Sequence, residues 1–153
     1  MVFLGIVGAG GVFTGTNPSY TSFELEDAIK TARIEFLVVQ PELLNNALVA
    51  AETCGIPQSR ILVFDTSEQT VPEGLQSWRS LLETGEEDWV RFDDKGTSEI
   101  TDAARLFSSG TTGKPKGICM SHYNLVAQHT LVMEHKPRPY EVSLLTKPGR
   151  PPS

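Results

Sequence analysis

Chemistry concentrates between Leu106 and Gly117, in the stretch LFSSGTTGKPKG. Ser108 to Gly117 holds two serines, two threonines, three glycines and two lysines in ten positions. An apolar run, Ala103 to Phe107, leads into it, and a second one, Ile118 to Met120, follows. Gly110, Gly113 and Gly117 can take φ > 0 and let the backbone approach a ligand closely. Successive loop N–H groups can then form a concave nest for an anion. Ser108, Ser109, Thr111 and Thr112 add hydroxyl donors, and Lys114 and Lys116 add point charges. The set suits a polyphosphate. It is not the NTPase P-loop, which needs G-x-x-x-x-G-K-[ST]. Gly113-Lys114 is followed by Pro115, and Ser108 stands where the first glycine belongs.

Other motifs are weaker. GAGGVF at Gly8 to Phe13 misses the dinucleotide fingerprint, because Phe13 occupies the third glycine position. His122, His129 and His135 are the only histidines, and none is four apart from another, so metal spacing on a helix is absent. His129 lines up with Leu125 and Val132 and reads as a packed residue. His122 follows Ser121 at a helix start and reads as a capping or packing residue with a lesser claim on the site. Cys54 and Cys119 form no C-x-x-C pair and read as small buried residues in a reducing compartment, the cytoplasm.

The elements that must position the loop follow from periodicity. Val2 to Ala9 is either a helix ending on glycine or a buried strand, and Val12 to Thr14 a short strand. Thr21 and Glu24 form a capping box. The helix behind it carries Leu25, Ala28, Ile29 and Ala32 at i, i+3, i+4, i+7. Phe36 to Val39 reads as a strand. Pro41 opens a second helix with Leu44, Ala47, Leu48 and Ala51 on one face and Gly55 as its stop. Ile61 to Phe64 is a third strand. This alternation predicts an α/β fold with parallel βαβ units forming a layer ahead of the glycine-rich loop. Leu75 to Leu82 reads as a short helix burying Trp78, Leu81 and Leu82. Ala103 to Phe107 is the strand that delivers the loop, and Ser121 caps a helix reaching about Glu134.

Composition sets bounds. The 153 residues are 39% hydrophobic, enough for one packed domain. The net charge of −6 sits within Glu83 to Asp102, where eight carboxylates face only Arg91 and Lys95. That run reads as a solvated face, and the acidic balance argues against nucleic acid as a partner. No apolar run reaches membrane-spanning length. Lys136 to Ser153 carries five of the ten prolines and reads as a disordered tail.

SSGTTGKPKG, with Ser121-His122-x-Asn124-Leu125 behind it, closely resembles the phosphate-binding motif of the adenylate-forming, AMP-binding enzymes. Asn17, Pro18, Tyr20, Glu24 and Leu25 resemble an Asn-Pro-x-Tyr-x-x-x-Glu-Leu pattern in the same family. The resemblance covers roughly residues 2 to 143 and is nearest the acyl-CoA synthetase and 4-coumarate–CoA ligase branch. It implies that residues 1–135 are a partial AMP-binding domain, from the larger N-terminal domain of such an enzyme, with 136–153 as the tail. It implies ATP with magnesium as cofactor, a carboxylic acid as substrate and coenzyme A as thiol acceptor. Residues Ser108, Ser109, Gly110, Thr111, Thr112, Gly113 and Lys116 would hold phosphate. In the family pattern the position of Lys114 varies while Pro-Lys-Gly recurs, so Lys116 is preferred and Lys114 is left to solvent.

The family's adenine-binding strand, Tyr-Gly-x-Thr-Glu segment, ribose-binding Asp and mobile catalytic Lys have no counterpart in these 153 residues. The chain therefore looks like a fragment, with no catalytic residue of its own and inactive alone. The alternative is a non-catalytic product that binds polyphosphate or associates with a full-length relative. Either way, an α/β layer without its neighbours exposes strand edges and apolar surface. The isolated chain is expected to be marginally stable; a sharp, reversible thermal transition would contradict that.

Overall fold

Helix α2, Ser22–Ala32, starts where the sequence places it. The Glu24 backbone N–H donates to Thr21 Oγ1 at 3.3 Å, and Glu24 accepts from the Thr21 backbone N–H at 2.8 Å. Its Ala28, Ile29 and Ala32 face is buried. The structure is a computed structural model and describes residues 2–66, 69–108 and 116–134. Helix α1, Val2–Gly8, precedes the two-residue strand β1, Phe13–Thr14, which resolves the opening apolar stretch as helical.

Strand β2, Leu37–Val39, leads to a 3₁₀ turn at Pro41–Leu43, and only then to helix α3, Leu44–Cys54. The proline therefore sits in a tighter turn ahead of the α-helix rather than at its first residue. Leu44, Ala47, Ala50 and Ala51 are buried, so Ala50 joins the predicted face and Leu48 packs only partly buried against the core. Gly55 ends the helix at φ 74°, a left-handed cap that favours glycine. Strand β3, Ile61–Val63, pairs parallel with β2 in the register Leu37↔Ile61 and Val39↔Val63. This β2–α3–β3 unit holds the main core, where Ile61 and Val63 are fully buried among Ile29, Leu37, Val39, Leu44 and the α3 alanines.

Two expectations change. The layer is two three-stranded sheets among the described residues, ordered β2-β3-β4 and β1-β5-β6. Strand β1 is not part of the first sheet and instead lies parallel to β5, Asp102–Ser108, with Phe13 opposite Ala104. Leu75 to Leu82 is not an α-helix. Strand β4, Gln76–Ser77, pairs parallel with β3, and a 3₁₀ stretch, Trp78–Glu83, follows. Leu81 and Leu82 are 54% and 69% exposed. Tertiary bonds override helix propensity at this point. Ser77 Oγ donates to Asp65 Oδ1, and Trp78 Nε1 donates to the Asp65 carbonyl at 3.1 Å, holding the segment extended along β3.

The acidic run is mostly exposed, and part of it is a helix. Asp94 caps the short helix α4, Lys95–Ile100, by accepting from the N–H groups of Gly96 and Thr97. Before it, the Val90 N–H donates to the Gly8 carbonyl at 2.8 Å. A Cβ on Gly8 would lie 2.8 Å from Trp89 Cδ2, so only glycine lets Trp89 lie against α1. Cys54 is half-buried and Cys119 exposed, so neither is the buried residue expected. The expected disordered tail, residues 136–153, lies outside the described residues.

Asp65 is 8% exposed where β3 ends. The Ser77 hydroxyl, with the Arg79 guanidinium 3.4 Å from Oδ2, holds its carboxyl below the ordinary value of 3.8. A depressed folded-state value stabilises the fold above the ordinary value, and that contribution is lost as pH falls through the folded value. The stability difference between the wild type and Asp65→Asn should therefore be widest near neutral pH and shrink below 3.8. Urea midpoints along an acid series measure it, and a constant difference would refute the role given to Asp65.

Candidate functional site

Strand β6, Lys116–Ser121, returns antiparallel along β5. The register runs Ser108↔Lys116, Phe107↔Gly117, Leu106↔Ile118, Arg105↔Cys119 and Ala104↔Met120. Two residues eight apart in sequence thus become direct cross-strand partners, with β-carbons about 5 Å apart on one face. Residues 109–115 connect them. Ala103 and Ala104 are buried at the base of the hairpin, whereas Ser108 is half-buried and Lys116 exposed at its tip. Each strand is anchored at its inner end and presents its polar group outward.

Side chains alternate along the pair. Ser108, Lys116, Leu106 and Ile118 share one face. Arg105, Phe107 and Cys119 share the other, with Gly117. The polar pair therefore sits above an apolar ladder, and Ile118 in that ladder is 48% exposed. The hairpin can place a hydroxyl and an ammonium on one side of an anion.

Of the residues expected to hold phosphate, Ser108 and Lys116 are placed together. Ser109, Gly110, Thr111, Thr112 and Gly113 lie outside the described residues, as does Lys114. Gly117 differs from expectation. It has no positive φ and lies within β6, so it does not make the turn.

Behind the hairpin, Ser121 caps α5, His122–Glu134, as the sequence predicts. The Asn124 N–H donates to Ser121 Oγ at 3.2 Å, and the Ser121 N–H donates to Asn124 Oδ1 at 3.1 Å. This is a capping box with asparagine in the reciprocal position. His122 packs on Phe92 with ring centroids 4.3 Å apart. Its backbone N–H donates to the Thr101 carbonyl at 3.1 Å, and its buried Nε2 has no hydrogen-bond partner among the described residues. His129 is exposed rather than packed, although Leu125 one helical repeat before it is half-buried. Among the described residues, no group of three or more His, Cys, Asp or Glu could hold a metal.

Arg105 is the residue that sequence reading passed over. Its Nε donates to Asp102 Oδ2 at 3.1 Å and its guanidinium Nη1 to the Ala32 carbonyl at 2.9 Å. A single charge inside the apolar run Ala103 to Phe107 was the signal available.

The class of protein is shown by comparison with known families. The chain belongs to the AMP-binding enzyme family, whose model matches residues 1–148. It is 48% identical over 145 residues to a phenylacetyl-CoA ligase of Aspergillus niger, covering 94% of this chain and 27% of that protein. It is 50% identical over 132 residues to an acyl-CoA synthetase of Alternaria alternata, covering 86% and 23%. Crystalline ATP-bound MatB from Rhodopseudomonas palustris superimposes with a TM-score of 0.64 at 29% identity, covering 86% of this chain and 24% of that one. The chain thus spans about a quarter of the length of the relatives it matches.

A Cβ on Gly117 would meet Thr31 Cγ2 at 3.6 Å, an ordinary contact. Gly117→Ala should therefore be neutral or stabilising, by up to about 1 kcal/mol, because it restricts the unfolded chain. A loss of stability in urea unfolding would show that β6 is not built as described.

Proposed function

We propose that the β5–β6 hairpin is the polyphosphate cradle of an AMP-forming carboxylate–thiol ligase. The observation that carries this reading is the cross-strand pair Ser108–Lys116, which sets a hydroxyl and a cation at the mouth of the glycine-rich connection. Ser108, Ser109, Gly110, Thr111, Thr112, Gly113 and Lys116 would bind the β- and γ-phosphates of ATP. Lys114 is left to solvent.

In the first half-reaction a carboxylate oxygen attacks the α-phosphorus. The bond to the bridging oxygen breaks, giving an acyl-adenylate and pyrophosphate. Negative charge builds on the departing pyrophosphate, and preorganised donors on its oxygens stabilise that charge where it develops. Hydroxyls and amides do this by hydrogen bonding, and Lys116 by a charge-assisted bond. In the second half-reaction the coenzyme A sulfur attacks the acyl carbon and AMP leaves. The relatives' names support a carboxylic acid as substrate and coenzyme A as acceptor. Magnesium would accompany ATP, and the described residues offer it no cluster of three or more His, Cys, Asp or Glu ligands.

A second reading is non-catalytic: the chain binds polyphosphate without turnover and packs against a longer family member. The apolar side chains on α5 favour it, with Val126, Val132 and Met133 at 65%, 51% and 63% exposure.

Carboxylate-dependent exchange of labelled pyrophosphate into ATP, measured on this chain, tests the first reading. No exchange, together with tripolyphosphate binding and stable association with a longer family member, favours the second. Lys116→Ala should weaken inorganic tripolyphosphate binding by about tenfold or more, the worth of one bond to a charged group. Unchanged affinity would remove Lys116 from the site.

A further inference from the structure

We propose that Arg105 is a positioning residue for the phosphate hairpin, acting by fixing β5 to the last turn of α2. The proposal rests on the reading of β5–β6 as a polyphosphate cradle and adds how the cradle is held.

Three observations meet at that turn. First, Arg105 Nη1 donates to the carbonyl of Ala32, the last residue of α2, at 2.9 Å. Helix C-terminal carbonyls carry partial negative charge and lack intrahelical donors, so a guanidinium there is favoured twice. Second, Arg105 Nε donates to Asp102 Oδ2 at 3.1 Å. Residues three apart on a regular strand point to opposite faces. The ladder slips between Asp102 and Ala104, and such a bulge puts both side chains on one side. The ion pair therefore holds the bulge as well as the arginine. Third, the opposite strand reaches the same turn, because the Cβ position of Gly117 lies 3.6 Å from Thr31 Cγ2.

Consecutive residues of one helix thus lie beside both strands: Ala32 bonds Arg105 of β5, and Thr31 Cγ2 is 3.6 Å from where a Cβ on Gly117 of β6 would stand. They touch the Arg105 and Gly117 face, whereas Ser108 and Lys116 lie on the opposite face. Arg105 cannot contact a ligand held by Ser108 and Lys116. It sets the height and tilt of the pair from behind. Arginine is required because its planar fork bonds two oxygens at once, whereas a lysine ammonium would satisfy one well.

Inorganic tripolyphosphate titrated into the intact chain tests this, with Arg105→Ala, Arg105→Lys and Thr21→Ala beside the wild type. Thr21→Ala destabilises the same helix at its far end, away from the hairpin. Arg105→Ala should weaken binding by about fivefold to tenfold, the scale of a small misplacement of binding groups. Arg105→Lys should recover part of that, and Thr21→Ala should bind as the wild type does. Should Arg105→Ala fail to fold, Arg105→Lys decides: weakened affinity supports the proposal and wild-type affinity overturns it. Equal weakening by Thr21→Ala and Arg105→Ala would reduce the effect to stability and overturn the proposal. A wild-type chain that does not bind tripolyphosphate brings down the cradle reading and this proposal with it, whereas binding that is indifferent to Arg105 brings down this proposal alone.

Discussion

The register of β5 against β6 is the constraint on which the candidate site depends. Strand β5 is the central strand of its sheet, with β1 on one side and β6 on the other. Two small buried residues, Ala103 and Ala104, root it, and a ladder slip beside them decides which side chains face which way. A change of one residue in that register would put Ser108 and Lys116 on opposite faces of the hairpin and undo their pairing.

The second sheet supplies mass rather than chemistry. Its β2–α3–β3 unit buries most of the large aliphatic side chains, and α2 packs into the same core through Ile29. That helix also ends beneath the hairpin, so it is the bridge between the stable part of the chain and the exposed part. A polyanion site needs several donors held in place against a mobile, heavily hydrated ligand. Anchoring through a helix end buried on its inner face meets that need without adding a second core.

Much of this was legible in the sequence because it is local. Thr21 and Glu24, Gly55, and Ser121 with Asn124 each act within a few residues, and each behaves as its spacing indicates. The apolar stripe of α2 was legible for the same reason. Leu75 to Leu82 was not, since its conformation is fixed by Ser77 and Trp78 bonding to Asp65, at least ten residues earlier. Nor was the assignment of β1 to the sheet of β5, which depends on a partner far along the chain. Within the site, the Ser108 and Lys116 ends were legible from residue type, and their pairing was not. Arg105 was missed because its partner Ala32 offers only a backbone carbonyl, which carries no sequence signature.

The pairing of β1 with β5 also constrains the order in which the chain can assemble. Phe13 and Ala104 are roughly ninety residues apart, so their contact closes a long loop, and such contacts form late. The β2–α3–β3 unit closes over a stretch of a few tens of residues and needs nothing from either sheet edge of the hairpin. On a ribosome the first core could form while β5 was still within the exit tunnel. The β5–β6 hairpin would then be laid onto a surface already folded, with the end of α2 waiting as its template.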